Sequence, residues 1–211
     1  MQEKLNILYF DNHLIVVEKP AGMLVQGDST GDETLLELTK AFVKNKFNKD
    51  GNVYLGLVHR LDRPTSGVVC FAKTSKAAAR LSRQFQNKTI RKKYLALVQG
   101  EVPESGVMVD KVLRKDRNSL ISGKGKKAEL SYQRIAYSDN ISLVDVTLKT
   151  GRHHQIRVQF SHRGFPLLGD FRYGSKIKFP NRAIGLHAYS LTIIHPTQKE
   201  ERTFIAQPPS T

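Results

Sequence analysis

Cysteine is nearly absent: the 211-residue chain has one, Cys70, and no tryptophan. A single cysteine excludes an intramolecular disulfide and a multi-cysteine zinc or iron–sulfur site. In the apolar run Val68–Ala72 it reads as a small buried hydrophobe. Without tryptophan, any stacking on bases falls to Tyr, Phe, His or Arg. No apolar run approaches the roughly 18 residues of a membrane helix. The start, Met1-Gln-Glu-Lys4, lacks a signal-peptide plan, so a cytoplasmic protein is the expectation. Acidic residues are scarce: 19 Asp and Glu face 34 Lys and Arg, a formal charge of +15. Neither G-x-G-x-x-G nor G-x-x-x-x-G-K-[ST] occurs, so nucleotide-cofactor folds lose their usual support.

What is present is ordinary for a folded domain, with 39% apolar and 25% charged residues. The basic excess points to a polyanionic partner, and nucleic acid is favoured over a membrane surface. The cations are spread over the chain, with clusters at Lys88–Lys93, Lys111–Arg117 and Lys124–Lys127. A membrane binder would concentrate them on one amphipathic helix.

Ile7–Phe10 and Leu14–Glu18 flank Asp11-Asn-His13 and read as a hairpin, which Lys19-Pro-Ala-Gly22 ends. Leu35–Phe47 has helical spacing, with Thr34 as N-cap. Ser75–Asn87 is a second helix, and His153–Arg163 reads as a third, which would put Arg157 on one face with His153 and His154. Val68–Ala72, Tyr94–Val98, Val107–Leu113, Leu130–Tyr137, Leu143–Leu148 and Ala188–Ile194 read as strands. Lys115–Lys127, polar and with Gly123 and Gly125, reads as a flexible loop. Consecutive strands favour an α+β fold, a mostly antiparallel sheet with a few flanking helices, in one domain over residues 1–211.

The densest chemistry is His59-Arg-Leu-Asp-Arg-Pro-Thr-Ser-Gly67: a carboxylate, two guanidinium groups, an imidazole and two hydroxyls in nine residues. Pro64 and Gly67 force an irregular path between an apolar segment, Val53–Val58, and a strand, a usual place for a site. Asp62, flanked by Arg60 and Arg63, should remain ionised. On composition alone, an Asp–Arg pair pinning a turn is the plainer reading. A metal cluster of His59, Asp62, His153, His154 and His187 is disfavoured, because adjacent histidines are not a usual chelate spacing.

HRLDRPTSG resembles the signature of the RluA family of pseudouridine synthases. So do Lys19-Pro-Ala-Gly-Met-Leu-Val25, Lys93-Tyr-Leu-Ala-Leu-Val-Gln-Gly100, Thr150-Gly-Arg-His-His-Gln-Ile-Arg-Val158 with Gly164-Phe-Pro-Leu-Leu-Gly-Asp170 and Tyr173-Gly174, and Leu186-His-Ala-Tyr-Ser-Leu191 with His195-Pro196. The matches come in family order from about residue 7 onward. The resemblance implies the pseudouridine synthase fold, in a short form without an accessory RNA-binding domain. It implies isomerisation of uridine in a ribosomal or transfer RNA stem-loop, by a monomer, without cofactor or metal.

By that resemblance Asp62 is the catalytic carboxylate, Tyr94 packs on the target base and Arg157 pairs with the aspartate. Arg60 enters the stack as the uridine leaves it. His59, Arg63, Thr65 and Lys19 are expected to meet the RNA, as are Arg152, His154 and Gln155, with Leu186 as an apolar wall. Whether the carboxylate attacks the sugar, attacks the ring or removes a sugar proton stays open. A non-enzymatic RNA-binding module fits the charge equally well, but does not require Asp62, Tyr94 and Arg157 together. A metal-dependent phosphodiesterase is a third reading, and loss of activity with chelator would be its mark.

Overall fold

The computed structural model describes residues 5–48 and 50–208. They fall into two compact units, one drawn from residues 1–90 and 190–211, the other from residues 91–189.

The first unit opens on strands β1 (Asn6–Phe10) and β2 (Leu14–Lys19), an antiparallel hairpin. Asp11 shapes the turn: Oδ1 accepts from the amides of His13 and Leu14 at 2.7 Å each. Helix α1 (Leu35–Lys46) starts at Thr34, whose hydroxyl and the Glu37 carboxylate form a reciprocal capping box. The short β3 (Gly56–Leu57) and β2 both pair antiparallel with β4 (Ser66–Ala72). Helix α2 (Ser75–Asn87) is capped by Thr74 and stopped by Lys88 in a left-handed conformation. Between β2 and β4, Leu14, Val16, Val68 and Cys70 build a core closed by Leu81 of α2. Fully burying such a side chain contributes about 1.5–3 kcal/mol.

The second unit is an antiparallel sheet of β5 (Arg91–Gln99), β6 (Ser105–Lys115), β7 (Asn118–Ile121), β8 (Lys126–Ser138) and β9 (Ile141–Leu148), in the order β5-β9-β8-β6-β7. Every register among them is antiparallel. Helix α3 (Gln155–His162) lays Ile156 and Phe160 on the buried face made by Ala96, Leu130 and Val146. Strand β10 (Leu186–Ile194) begins in this unit and ends in the first, where β11 (Glu201–Ile205) pairs with it. Beyond β10, His195 is fully buried; its Nδ1 accepts from the amides of Thr197 and Gln198, so its Nε2 donates to Asp11 at 2.8 Å. Strands outnumber helices and the named pairings are antiparallel, as the α+β reading expects.

Two expectations are corrected. Residues 115–127 are not a flexible loop: β7 folds back on β6 through the two-residue turn Asp116-Arg117, with Asp116 at φ 52°. The hairpin is polar, so alternation does not reveal it; backbone pairing and a docked Ser119 hold it instead. Gly125 then passes so close that a Cβ there would lie 2.5 Å from the Val112 carbonyl carbon. The third helix starts at Gln155, not His153, and His154 sits just ahead of it at φ 52°. The two histidines therefore do not share a helical face with Arg157. A left-handed non-glycine residue costs on the order of 1–2 kcal/mol and persists only where tertiary contacts fix it.

Candidate active site

In the first unit the Asp62 segment is framed from below by a lysine. Lys19 ends β2, is fully buried, and its Nζ donates to the carbonyls of Pro20 (2.9 Å), Met23 (2.7 Å) and Arg63 (3.0 Å). An ammonium has three donors, and all three are used. Burial pulls the Lys19 amine down to about 7; the Asp62 charge raises it and Arg63 lowers it further. Lys19 is therefore a clamp joining the KPAG turn to the Asp62 loop, which corrects the expectation that it meets RNA.

The same turn is tied from above. Gly22, in the left-handed region at φ 87°, donates its amide to the Arg63 carbonyl at 2.8 Å. Arg63 returns Nε to the Gly22 carbonyl at 2.9 Å and pairs with Asp32 at 2.6 Å. Its guanidinium thus braces the loop through the Gly22 carbonyl and Asp32. The backbone carbonyl of Asp62 closes the turn by accepting the Thr65 amide at 3.0 Å. Thr65 is buried, and its hydroxyl has no partner among the described residues. His59 stacks on Phe85 with centroids 4.9 Å apart, and its Nε2 accepts the Cys70 amide at 2.9 Å, so Nδ1 carries the proton. These bonds leave Asp62 half-buried on a braced loop, with Arg60 exposed two residues before it.

In the second unit the centre is Arg157, in the first turn of α3. Its Nε and Nη2 donate to Asp170 Oδ2 and Oδ1 at 2.7 and 2.8 Å, and both side chains are buried. Such a fork is the geometry for which guanidinium and carboxylate are matched. The Tyr173 ring covers the guanidinium at 5.0 Å. The Tyr173 hydroxyl accepts the Ser119 amide at 2.8 Å and lies 2.8 Å from His154 Nδ1. Hydroxyl and imidazole thus share one hydrogen bond, whose direction follows the His154 tautomer. Burial, with the Arg157 charge beside it, pushes the His154 pKa down to about 2.

Gln155 is also corrected. It is buried, its Oε1 accepts from Thr150 Oγ1 (2.7 Å) and the Arg152 amide (3.0 Å), and its Nε2 donates to the Glu129 carbonyl at 3.2 Å. It latches the turn before α3. Arg152 anchors Nε on the Lys127 carbonyl at 2.9 Å. Tyr94 and Leu186 reach the same apolar cluster, Leu186 within it and Tyr94 half-buried against it. Asp170, Tyr173, Ser119 and Asp32 escaped the sequence reading as site residues. Asp170 and Tyr173 lay inside a motif block already noticed, and a buried arginine required a carboxylate; that was the available signal.

Residues 13–162 match the family model for RNA pseudouridylate synthase. The ribosomal large subunit pseudouridine synthase C of Buchnera aphidicola subsp. Schizaphis graminum is 37% identical over 95% of this chain and 66% of its own length. The ribosomal large subunit pseudouridine synthase D of Zymomonas mobilis is 36% identical over 97% of this chain and 69% of its own. The chain thus spans about two thirds of the length of these curated relatives. Two solved human structures share the fold. Human RNA pseudouridylate synthase domain containing 4 has a TM-score of 0.81 at 24% identity, over 97% of this chain and 88% of that one. Human RNA pseudouridylate synthase domain containing 1 has a TM-score of 0.80 at 26% identity, over 98% and 84%. With the family model covering more than half of the chain and these relatives matching nearly all of it, the chain belongs to the RluA-type RNA pseudouridylate synthase family.

Proposed function

We propose that this protein isomerises uridine to pseudouridine in structured RNA, with large-subunit ribosomal RNA as its substrate class and Asp62 as the reacting carboxylate. The observation that carries the chemistry is the clamped loop: three carbonyl bonds from Lys19 and the Arg63–Gly22 exchange hold a half-buried carboxylate in place. A braced loop of this kind suits a residue that must meet one atom of a substrate. The formal charge of +15 supports a polyanionic partner, and the similarity to two bacterial large-subunit ribosomal pseudouridine synthases favours ribosomal over transfer RNA.

The bond from uracil N1 to the sugar C1′ breaks, the base turns, and C5 bonds to C1′. The C5 proton leaves and N1 gains one, so the product is an isomer and no electrons are exchanged. A carboxylate is established equipment for such carbon centres. Tyr94 is assigned the base face, Arg157 the counter-charge and Arg60 the vacated stack, as the resemblance implies. The protein acts as a cytoplasmic monomer in this reading; no helix among the described residues is long and apolar enough to cross a membrane.

The test is a pseudouridine map of large-subunit ribosomal RNA from cells with and without the protein. The proposal expects one or a few sites to vanish and to return when purified protein is added. Identical maps, with no pseudouridine made by the purified protein, would overturn it.

A further inference from the structure

Lys92 stands in an unusual place for a lysine. Along β5 the even-numbered residues face inward: Ala96 and Val98 are fully buried and Tyr94 is half-buried against the same cluster. Lys92, half-buried and paired across to Leu148 of β9, continues that row two residues before Tyr94. Its neighbour Lys93, on the opposite face, has Asp145 at 3.0 Å. Lys92 has no hydrogen-bond or ion-pair partner among the described residues. Glu129 of β8, one strand beyond β9, is already held by Lys127 at 2.8 Å and Lys149 at 2.9 Å. Withdrawal from water without a counter-charge pulls the Lys92 amine down to about 8.

An unpaired cation on an inward row is costly, and a methionine or leucine would fill the space without that cost. The cost has a direction, because the ammonium has a surface to serve. It rises under exposed Gly151, where an added Cβ would lie 2.8 Å from Nζ. Gly151 thus lets the amine come up against the turn that carries Arg152. Arg152 is itself fixed there through Nε on the Lys127 carbonyl. The Lys92 amine thus lies against the turn on which Arg152 follows, and Lys92 has no anion there.

We propose that Lys92 is a substrate-contacting residue that takes a phosphate oxygen of the RNA strand at the nucleotide whose base meets Tyr94. This rests on the reading of the chain as an RNA-modifying enzyme. Residues two apart on a strand stand roughly 7 Å apart along it, a spacing that one nucleotide bridges between base and phosphate. An arriving phosphate supplies the missing counter-charge and removes the cost of the buried amine. Arg152 serves the same strand, which gives its basic side chain a partner as well.

The test compares wild type, Lys92→Met and Lys92→Arg on unmodified large-subunit ribosomal RNA, reading pseudouridine formation against RNA and salt concentration, with thermal melts alongside. Methionine keeps the packing and removes the charge. The proposal expects Lys92→Met to raise KM about tenfold with kcat within about twofold, and to reduce the slope of log KM against log salt by about one phosphate contact. Lys92→Arg should recover most of the loss, and Lys92→Met should melt no lower than wild type. A Lys92→Met enzyme with unchanged KM and salt slope, or one that melts lower and loses kcat alone, would overturn the phosphate contact. A wild-type enzyme that makes no pseudouridine in this RNA would overturn instead the functional reading beneath it.

Discussion

Arg157 and Asp170 meet as a buried fork, Nε to Oδ2 at 2.7 Å and Nη2 to Oδ1 at 2.8 Å. Breaking a buried pair by removing one partner leaves an uncompensated charge and costs about 3–5 kcal/mol. Asp170→Ala should therefore lower unfolding stability by about that much, read as a shifted urea midpoint at unchanged slope. Asp170→Asn, which keeps an acceptor, should lose less. A midpoint shift worth under 0.5 kcal/mol in Asp170→Ala, by the same conversion, would show that the fork does not hold α3 in place.

His154 gives the second unit an acid sensitivity. Its pKa is depressed from 6.5 to about 2 in the folded protein, so below about pH 6.5 the unfolded chain binds a proton that the folded one refuses. Stability from this group is fully present above that pH and falls as the pH drops below it. Melting temperatures of wild type and His154→Gln between pH 7.5 and 5 check this. The wild type should lose more than the variant over that range; parallel curves would show that His154 does not resist protonation.

Lys19→Met removes the donor shared by three carbonyls, each then unsatisfied in a buried turn. We expect about 3 kcal/mol of lost stability, since each orphaned group costs about 1–3 kcal/mol and the turn relaxes in part. Turnover should fall at least tenfold while RNA affinity stays within about twofold, because the clamp sets the Asp62 loop and does not itself touch RNA. These factors correspond to about 1.4 kcal/mol or more in the barrier. A large loss of affinity with turnover intact would return Lys19 to the RNA-contacting set.

Much of this was legible in the chain because local signals agreed with the fold. Ser75–Asn87 was read to the residue, and Thr34 was read as the cap it is. Other features are decided at a distance. Strand β7 carries Asn118-Ser-Leu-Ile121, with no apolar alternation; it is a strand because Asp116 takes a left-handed turn and Ser119 docks on Tyr173, 54 residues away. The helical periodicity of α3 runs back through His153 and His154, but the Tyr173 hydroxyl holds His154 outside the helix. Strand β11, Glu201–Ile205, is short, polar and visible only through its pairing with β10. For the site, the motifs singled out Asp62, Tyr94 and Arg157 as candidates; the chain alone did not say that Lys19, Arg63 and Gln155 use polar groups for bracing.

Arg60 is exposed on the braced loop, two residues before Asp62. Extruding a stacked base costs a few kcal/mol, and less when the base is already unpaired. A planar guanidinium can fill the vacated place. Arg60→Ala should slow the reaction on a structured stem-loop more than on a flexible single strand of the same sequence. Equal losses on the two RNAs would assign Arg60 to general charge.

The central claim is that one carboxylate does the covalent work while many cations share the binding. The direct measurement is pseudouridine formation by purified Asp62→Asn, with RNA affinity measured on the same sample. The account predicts no detectable isomerisation and an affinity within about threefold of wild type, a difference under about 0.7 kcal/mol. Substantial turnover by Asp62→Asn would contradict it.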